Sequence, residues 1–129
     1  MKDTPAIVHN PEDCLRVSEV LSQIASKWSV LIIMLLRQRS LRFSELKKGI
    51  NGISQRMLTL TLRNLERTGL VTRTVTPTIP PRVDYELTKL GHSLAEPIQA
   101  LGLWAYHHLS EIETARATYD ANEESETST

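Results

Sequence analysis

Cysteine is almost missing. The 129 residues contain one, Cys14, so no disulfide can close within the chain, although a bridge between two chains stays open. Long hydrophobic runs are missing as well. The longest apolar stretch, residues 30–36, is far too short to span a bilayer, and no N-terminal apolar segment has the form of a signal peptide. A cytoplasmic location with no membrane partner is therefore expected. No Gly-rich phosphate loop, nucleophile elbow or paired carboxylates on one defined face can be found, so the chain does not read as an enzyme. Histidine is sparse: His9, His92, His107 and His108. The adjacent pair would point about 100° apart on a helix and could not easily face one metal. No metal or other cofactor is expected. Finally, there is no net charge, because 15 basic residues balance 15 acidic ones.

That balance is an average over an uneven chain. Between residues 27 and 73 ten basic residues stand against only Glu45 and Glu66, a net of +8; from residue 110 onward six acids stand against Arg116 alone, a net of −5. A basic middle and an acidic end suggest a centre that binds a polyanion, although solvated helix faces would give the same count. The pattern inside residues 43–70 decides between them. Phe43, Leu46 and Ile50 recur at helical spacing and predict a short helix. Asn51-Gly52 breaks it, and Ser54 stands where a helix N-cap belongs. Leu58, Leu62 and Leu65 then form one apolar stripe on a second helix, which Gly69 ends as a C′ residue. Its other face carries Gln55, Arg56, Thr59, Arg63 and Arg67. A helix buried on one side and rich in donors on the other is what a helix-turn-helix sends into a major groove.

The flanking segments fit around this pair. Residues 1–12, with Pro5 and Pro11 and no periodicity, read as an arm. A helix capped by Asp13 and carrying Leu15, Val17, Val20, Leu21 and Ile24 should run to about Ser26. Residues 28–36 are apolar nearly all round, the mark of a central core helix, and residues 37–42 read as a basic connector. After Gly69 the period changes to 2. Residues 70–75 and 82–87 predict two strands, while the three prolines of residues 76–81 exclude a strand between them. A hairpin placed directly after a recognition helix is a wing, with Arg73 or Arg82 as its cation. Thr88 can cap a further helix with the stripe Leu90, Leu94, Ile98, Leu101 and Trp104, which Pro97 should kink or split. A helix that long exceeds what so small a core can cover, and a second copy is the simplest cover. Residues 118–129, acidic and poor in apolar residues, read as disordered. The expected fold class is mainly α with a small β-hairpin wing: a winged helix-turn-helix over residues 13–117 with a long C-terminal dimerisation helix.

Several motifs resemble the HxlR-type family of winged helix-turn-helix transcriptional regulators. They are Lys27-Trp28, residues 42–46 (RFSEL), residues 52–58 (GISQRML), residues 62–66 (LRNLE), residues 69–71 (GLV), residues 80–85 (PPRVDY) and residues 87–91 (LTKLG). The resemblance covers about residues 13–109. It implies a bacterial repressor or activator that binds double-stranded DNA as a homodimer built from the first and last helices, with no effector identified. Gln55, Arg56, Thr59 and Arg63 are the base-edge candidates, since Arg suits guanine and Gln suits adenine in bidentate pairs. Leu60 could touch a thymine methyl or pack beside Met57. Arg42, Ser44, Lys47, Lys48, Ser54, Arg73 and Arg82 are the phosphate or wing candidates. Leu15, Leu94, Ile98, Leu101, Trp104 and His108 are the dimer candidates. The resemblance also points to Cys14 as a sensor of oxidants or electrophiles. Leu15 follows it where the family commonly has proline, and the spacing to Trp28 is one residue longer than usual. The alternative function is a winged-helix module that binds another protein without reading DNA.

Overall fold

The computed structural model describes residues 11–127, in the order α1 (Pro11–Ile24), α2 (Lys27–Leu36), β1 (Leu41–Arg42), α3 (Phe43–Gly49), α4 (Gln55–Arg67), β2 (Val71–Thr76), β3 (Arg82–Leu87), α5 (Lys89–His107) and α6 (Leu109–Thr127). It divides into two compact units at Ala95 and Glu96. The expected arm lies mostly outside the described residues. The described part of α1 runs from Pro11, so Asp13 lies inside the helix rather than at its cap.

In the first unit, α2 and the helix-turn-helix share one core. Ile32, Ile33 and Leu36 of α2, Leu46 of α3, and Leu58, Leu62 and Leu65 of α4 are buried, with Leu70, Val71, Tyr85 and Leu87 of the sheet region around them. Burial of α2 is one-sided: Leu31 is exposed and Trp28 half-buried. Sequence and structure agree at the punctuation of α4. Ser54 Oγ accepts from the Met57 N–H at 3.0 Å. Gly69 has φ +84° and Gly52 φ +86°, left-handed values that would strain a side chain and leave glycine unstrained.

The wing gains a third strand. The basic connector ends in β1, which pairs antiparallel with β3, so the sheet order is β1-β3-β2 and Tyr85 stands opposite both Leu41 and Arg73. Two residues without obvious alternation could not announce such a strand. Strand β2 buries only Val71, because the hairpin runs out beyond the core, whereas β3 buries Tyr85 and Leu87. Thr88 locks the hairpin to the helices: its Oγ1 donates to Gly69 O at 2.6 Å and accepts from the Gly91 N–H at 3.0 Å.

The second unit corrects two expectations. Helix α5 continues through Pro97 to His107 without splitting. The break falls at His108, whose N–H is shared between the carbonyls of Trp104 and Ala105 at 3.1 and 3.3 Å and whose Nδ1 lies 2.7 Å from Trp104 O. The acidic tail is helical rather than disordered as far as Thr127. Ala115, Ala117, Ala121 and the glutamates are strong helix formers; a shortage of core residues removes a packing face and leaves that propensity intact. Among the described residues no single helix is long and apolar enough to cross a membrane.

Candidate nucleic-acid interface

Helix α4 owes its two faces to spacing. Leu58, Thr61, Leu62 and Leu65 are buried, and Thr61 satisfies its hydroxyl on Met57 O at 2.7 Å. This leaves Gln55, Arg56 and Arg63 exposed, with Thr59 half-buried. Gln55, Thr59 and Arg63 follow one another by four residues and so share a stripe. That stripe forms one wall of a cleft of about 470 Å³, also lined by Phe43, Leu62, Glu66, Arg73 and Tyr85. Three of the four recognition-helix candidates and the wing candidate Arg73 therefore open onto one space. Phe43, Glu66 and Tyr85 also line the cleft and are not among the candidates the sequence offered. Glu66 was visible as the second acid of a basic segment; the position of Tyr85 depends on the β1-β3-β2 pairing.

The other candidates on α3 and α4 do not line this cleft. Arg56 is exposed in the first turn of α4 but lies on the adjoining side. Leu60 and Met57 are both partly exposed, at 43% and 39%, so neither has the other's full cover. Lys47 and Lys48 are exposed in the last turn of α3, and Ser44 in its first. At a helix C-terminus a cation complements the dipole and its side chain still reaches solvent. Ser54 acts first as the cap of α4.

Three arginines are engaged within the protein, Arg82 and Arg39 through their side chains and Arg42 through its backbone N–H. Arg82 Nε lies 3.0 Å from Asp84 Oδ2, which ties its guanidinium to its own strand. Arg42 donates its backbone N–H to Glu45 Oε1 at 2.8 Å, and Arg39 Nη2 lies 3.4 Å from Glu45 Oε2. The Arg42 N–H, aided by the Arg39 and Arg42 charges, holds the Glu45 carboxyl below the usual carboxylate range. Glu45 thus serves the start of α3.

The redox and dimer candidates belong to other elements. Cys14 is exposed in α1, beside an exposed Arg16–Asp13 pair at 3.6 Å. In the second unit the Trp104 and His108 rings stack with centroids 4.5 Å apart. The sequence model of the HxlR-like helix-turn-helix family matches residues 23–113. The uncharacterized HTH-type transcriptional regulator YtfH of Escherichia coli (strain K12) is 41% identical over 98 residues, 76% of this chain and 78% of that protein. A solved structure of ytfH from Salmonella typhimurium matches with TM-score 0.74 at 37% identity, covering 78% of this chain and 90% of that one. The redox regulator HypR in its reduced form matches with TM-score 0.72 at 33% identity, covering 77% and 98%.

Proposed function

The chain belongs to the HxlR-like helix-turn-helix family and is a transcriptional regulator; from that premise we propose that it acts as a homodimer whose two α4 helices read an inverted-repeat operator. One observation carries this reading: Gln55, Thr59 and Arg63 of α4 face the same cleft as Arg73 of the wing. Hydrogen-bonding side chains on a rigid helix can read base edges, while cations around them fix the register on phosphates. A two-fold dimer brings its recognition helices to successive major grooves about 34 Å apart, or a multiple of that. Selection of bound fragments from random duplex DNA should return an inverted repeat with that spacing, bound with an affinity that falls steeply with salt. Failure to enrich any fragment, together with salt-insensitive binding to a protein, would favour the interaction-module reading.

The second copy is supported by apolar side chains that the chain leaves open. Leu15 is 72%, Leu101 66% and Trp104 53% exposed, and Leu94 and Ile98 are half-buried. Apolar surface of this kind marks an interface, and a large aromatic near its centre dominates the energy. Trp104→Ala should weaken self-association by about 2 kcal/mol, roughly thirtyfold, in sedimentation across a concentration series. A wild-type monomer at micromolar concentration would remove the dimer from the reading.

Control of that dimer through Cys14 is the finer part of the reading. The thiol is exposed rather than packed in a core, and HypR, similar in fold and sequence, is a redox regulator. With a peroxide as oxidant, the Cys14 sulfur gives up two electrons to become a sulfenic acid, and the peroxide loses one oxygen to sulfur and leaves the other as water. Peroxide should change operator affinity in the wild type and leave Cys14→Ser unchanged. Equal responses from both proteins would refute the sensor role.

A further inference from the structure

We infer that Glu66 is a specificity-determining residue that keeps phosphates out of the cleft between α4 and the wing. The inference rests on the reading of α4 as the DNA-facing helix and adds to it a residue whose charge opposes binding. Only two acids interrupt the ten bases of residues 27–73, and their circumstances differ. Glu45 receives the Arg42 N–H and faces Arg39, which explains it. The Glu66 side chain is exposed and has no ion-pair or hydrogen-bond partner among the described residues. It stands in the last turn of α4 (Gln55–Arg67), where a carboxylate meets the negative end of the helix dipole. Neither an ion pair nor the helix accounts for it, yet it lines the cleft with Arg63 and Arg73.

In that position a carboxylate has one strong electrostatic consequence. Without it, Arg63 and Arg73 would make the cleft a trap for any backbone phosphate, and phosphate attraction is blind to sequence. With it, a phosphate entering the cleft meets a like charge, and the repulsion is strongest at low salt. The registers that remain favourable keep the backbone outside the cleft, on exposed cations such as Lys47 and Lys48, and present base edges to Gln55, Thr59 and Arg63. Non-cognate complexes, held by phosphates alone, lose more than the cognate one.

The test compares wild type, Glu66→Gln and Glu66→Asp on a selected operator and a scrambled duplex across a salt series. Glu66→Gln keeps the shape and removes the charge at an exposed position, so folding is not at stake. It should raise affinity for the scrambled duplex about fivefold at low salt, the order one surface charge contributes. Its salt slope should steepen by about one in each half-site. Operator affinity should rise less, so discrimination falls; Glu66→Asp should keep wild-type discrimination. A Glu66→Gln protein with wild-type slope and discrimination, or with weakened operator binding, overturns the inference alone. A flat wild-type salt slope overturns the DNA reading and this inference together.

Discussion

Replacing Gly91 by alanine is expected to destabilise the protein by about 3 kcal/mol, although helix propensity alone predicts a gain of nearly 1 kcal/mol. Gly91 is buried near the start of α5. A Cβ there would collide with the carbonyl oxygen of Leu70 and come within 3.0 Å of Leu87 Cδ2. The Leu70 oxygen cannot retreat freely, because it accepts the Thr88 N–H at 3.0 Å. Thr88 in turn is bonded to Gly69 O and to the Gly91 N–H. One added methyl therefore strains the junction of α4, the sheet and α5 together. Gly102, in the same helix, is the control: a Cβ there meets nothing within 4 Å, so Gly102→Ala should show the propensity gain. Thermal unfolding should place Gly91→Ala roughly 10–20 °C below wild type. An unchanged midpoint would mean that α5 shifts readily on the sheet.

The same residue shows how much of the fold could be read in the sequence. Gly69 and Ser54 were legible because their roles are local: a left-handed C′ glycine and a capping hydroxyl act on their own turn. The apolar stripe of α4 and the alternation of β3 were legible because burial of one face imposes a period. Gly91 was not legible as a packing residue, since only the tertiary approach of Leu70 O gives it a role. Strand β1 is two residues long and exists because β3 offers a free edge. The helical end at Thr127 was not legible either, because a helix without a core face shows no apolar period. In the candidate interface, Gln55, Arg56, Thr59 and Arg63 came from the polar face of α4. Tyr85 and Glu66 came from three-dimensional closure against the wing. Arg82 looked equivalent to Arg73, and its pairing with Asp84 distinguishes them.

Removing Gln55 or Arg56 is expected to relax base preference, while removing Lys47 or Lys48 weakens every duplex alike. The division follows from position. Gln55 and Arg56 open α4, and in a helix-turn-helix the N-terminal residues of the recognition helix meet the bases. Lys47 and Lys48 close α3, and the proposed reading assigns their charges to phosphates. A bidentate pair with a base edge discriminates by about 1–3 kcal/mol, and a dimer makes it twice. Gln55→Ala or Arg56→Ala should thus lower operator affinity by that amount per half-site and leave scrambled DNA nearly unaffected. Lys47→Ala or Lys48→Ala should reduce the salt slope by about one for each phosphate no longer neutralised in a half-site and preserve the operator-to-scrambled ratio. Arg73 and Arg82 separate on the same assay. Arg73 lines the cleft with α4, so Arg73→Ala should behave as the removal of a groove cation and weaken binding strongly. Arg82 is held by Asp84 at 3.0 Å, so Arg82→Ala should weaken it less, unless A·T-rich flanks lose an advantage, the sign of a wing in a narrow minor groove. Binding of each variant to operator and scrambled duplex over a salt series resolves all of these. Wild-type discrimination in both the Gln55 and the Arg56 variants would mean that the first turn of α4 does not read the operator, with the fold unaffected.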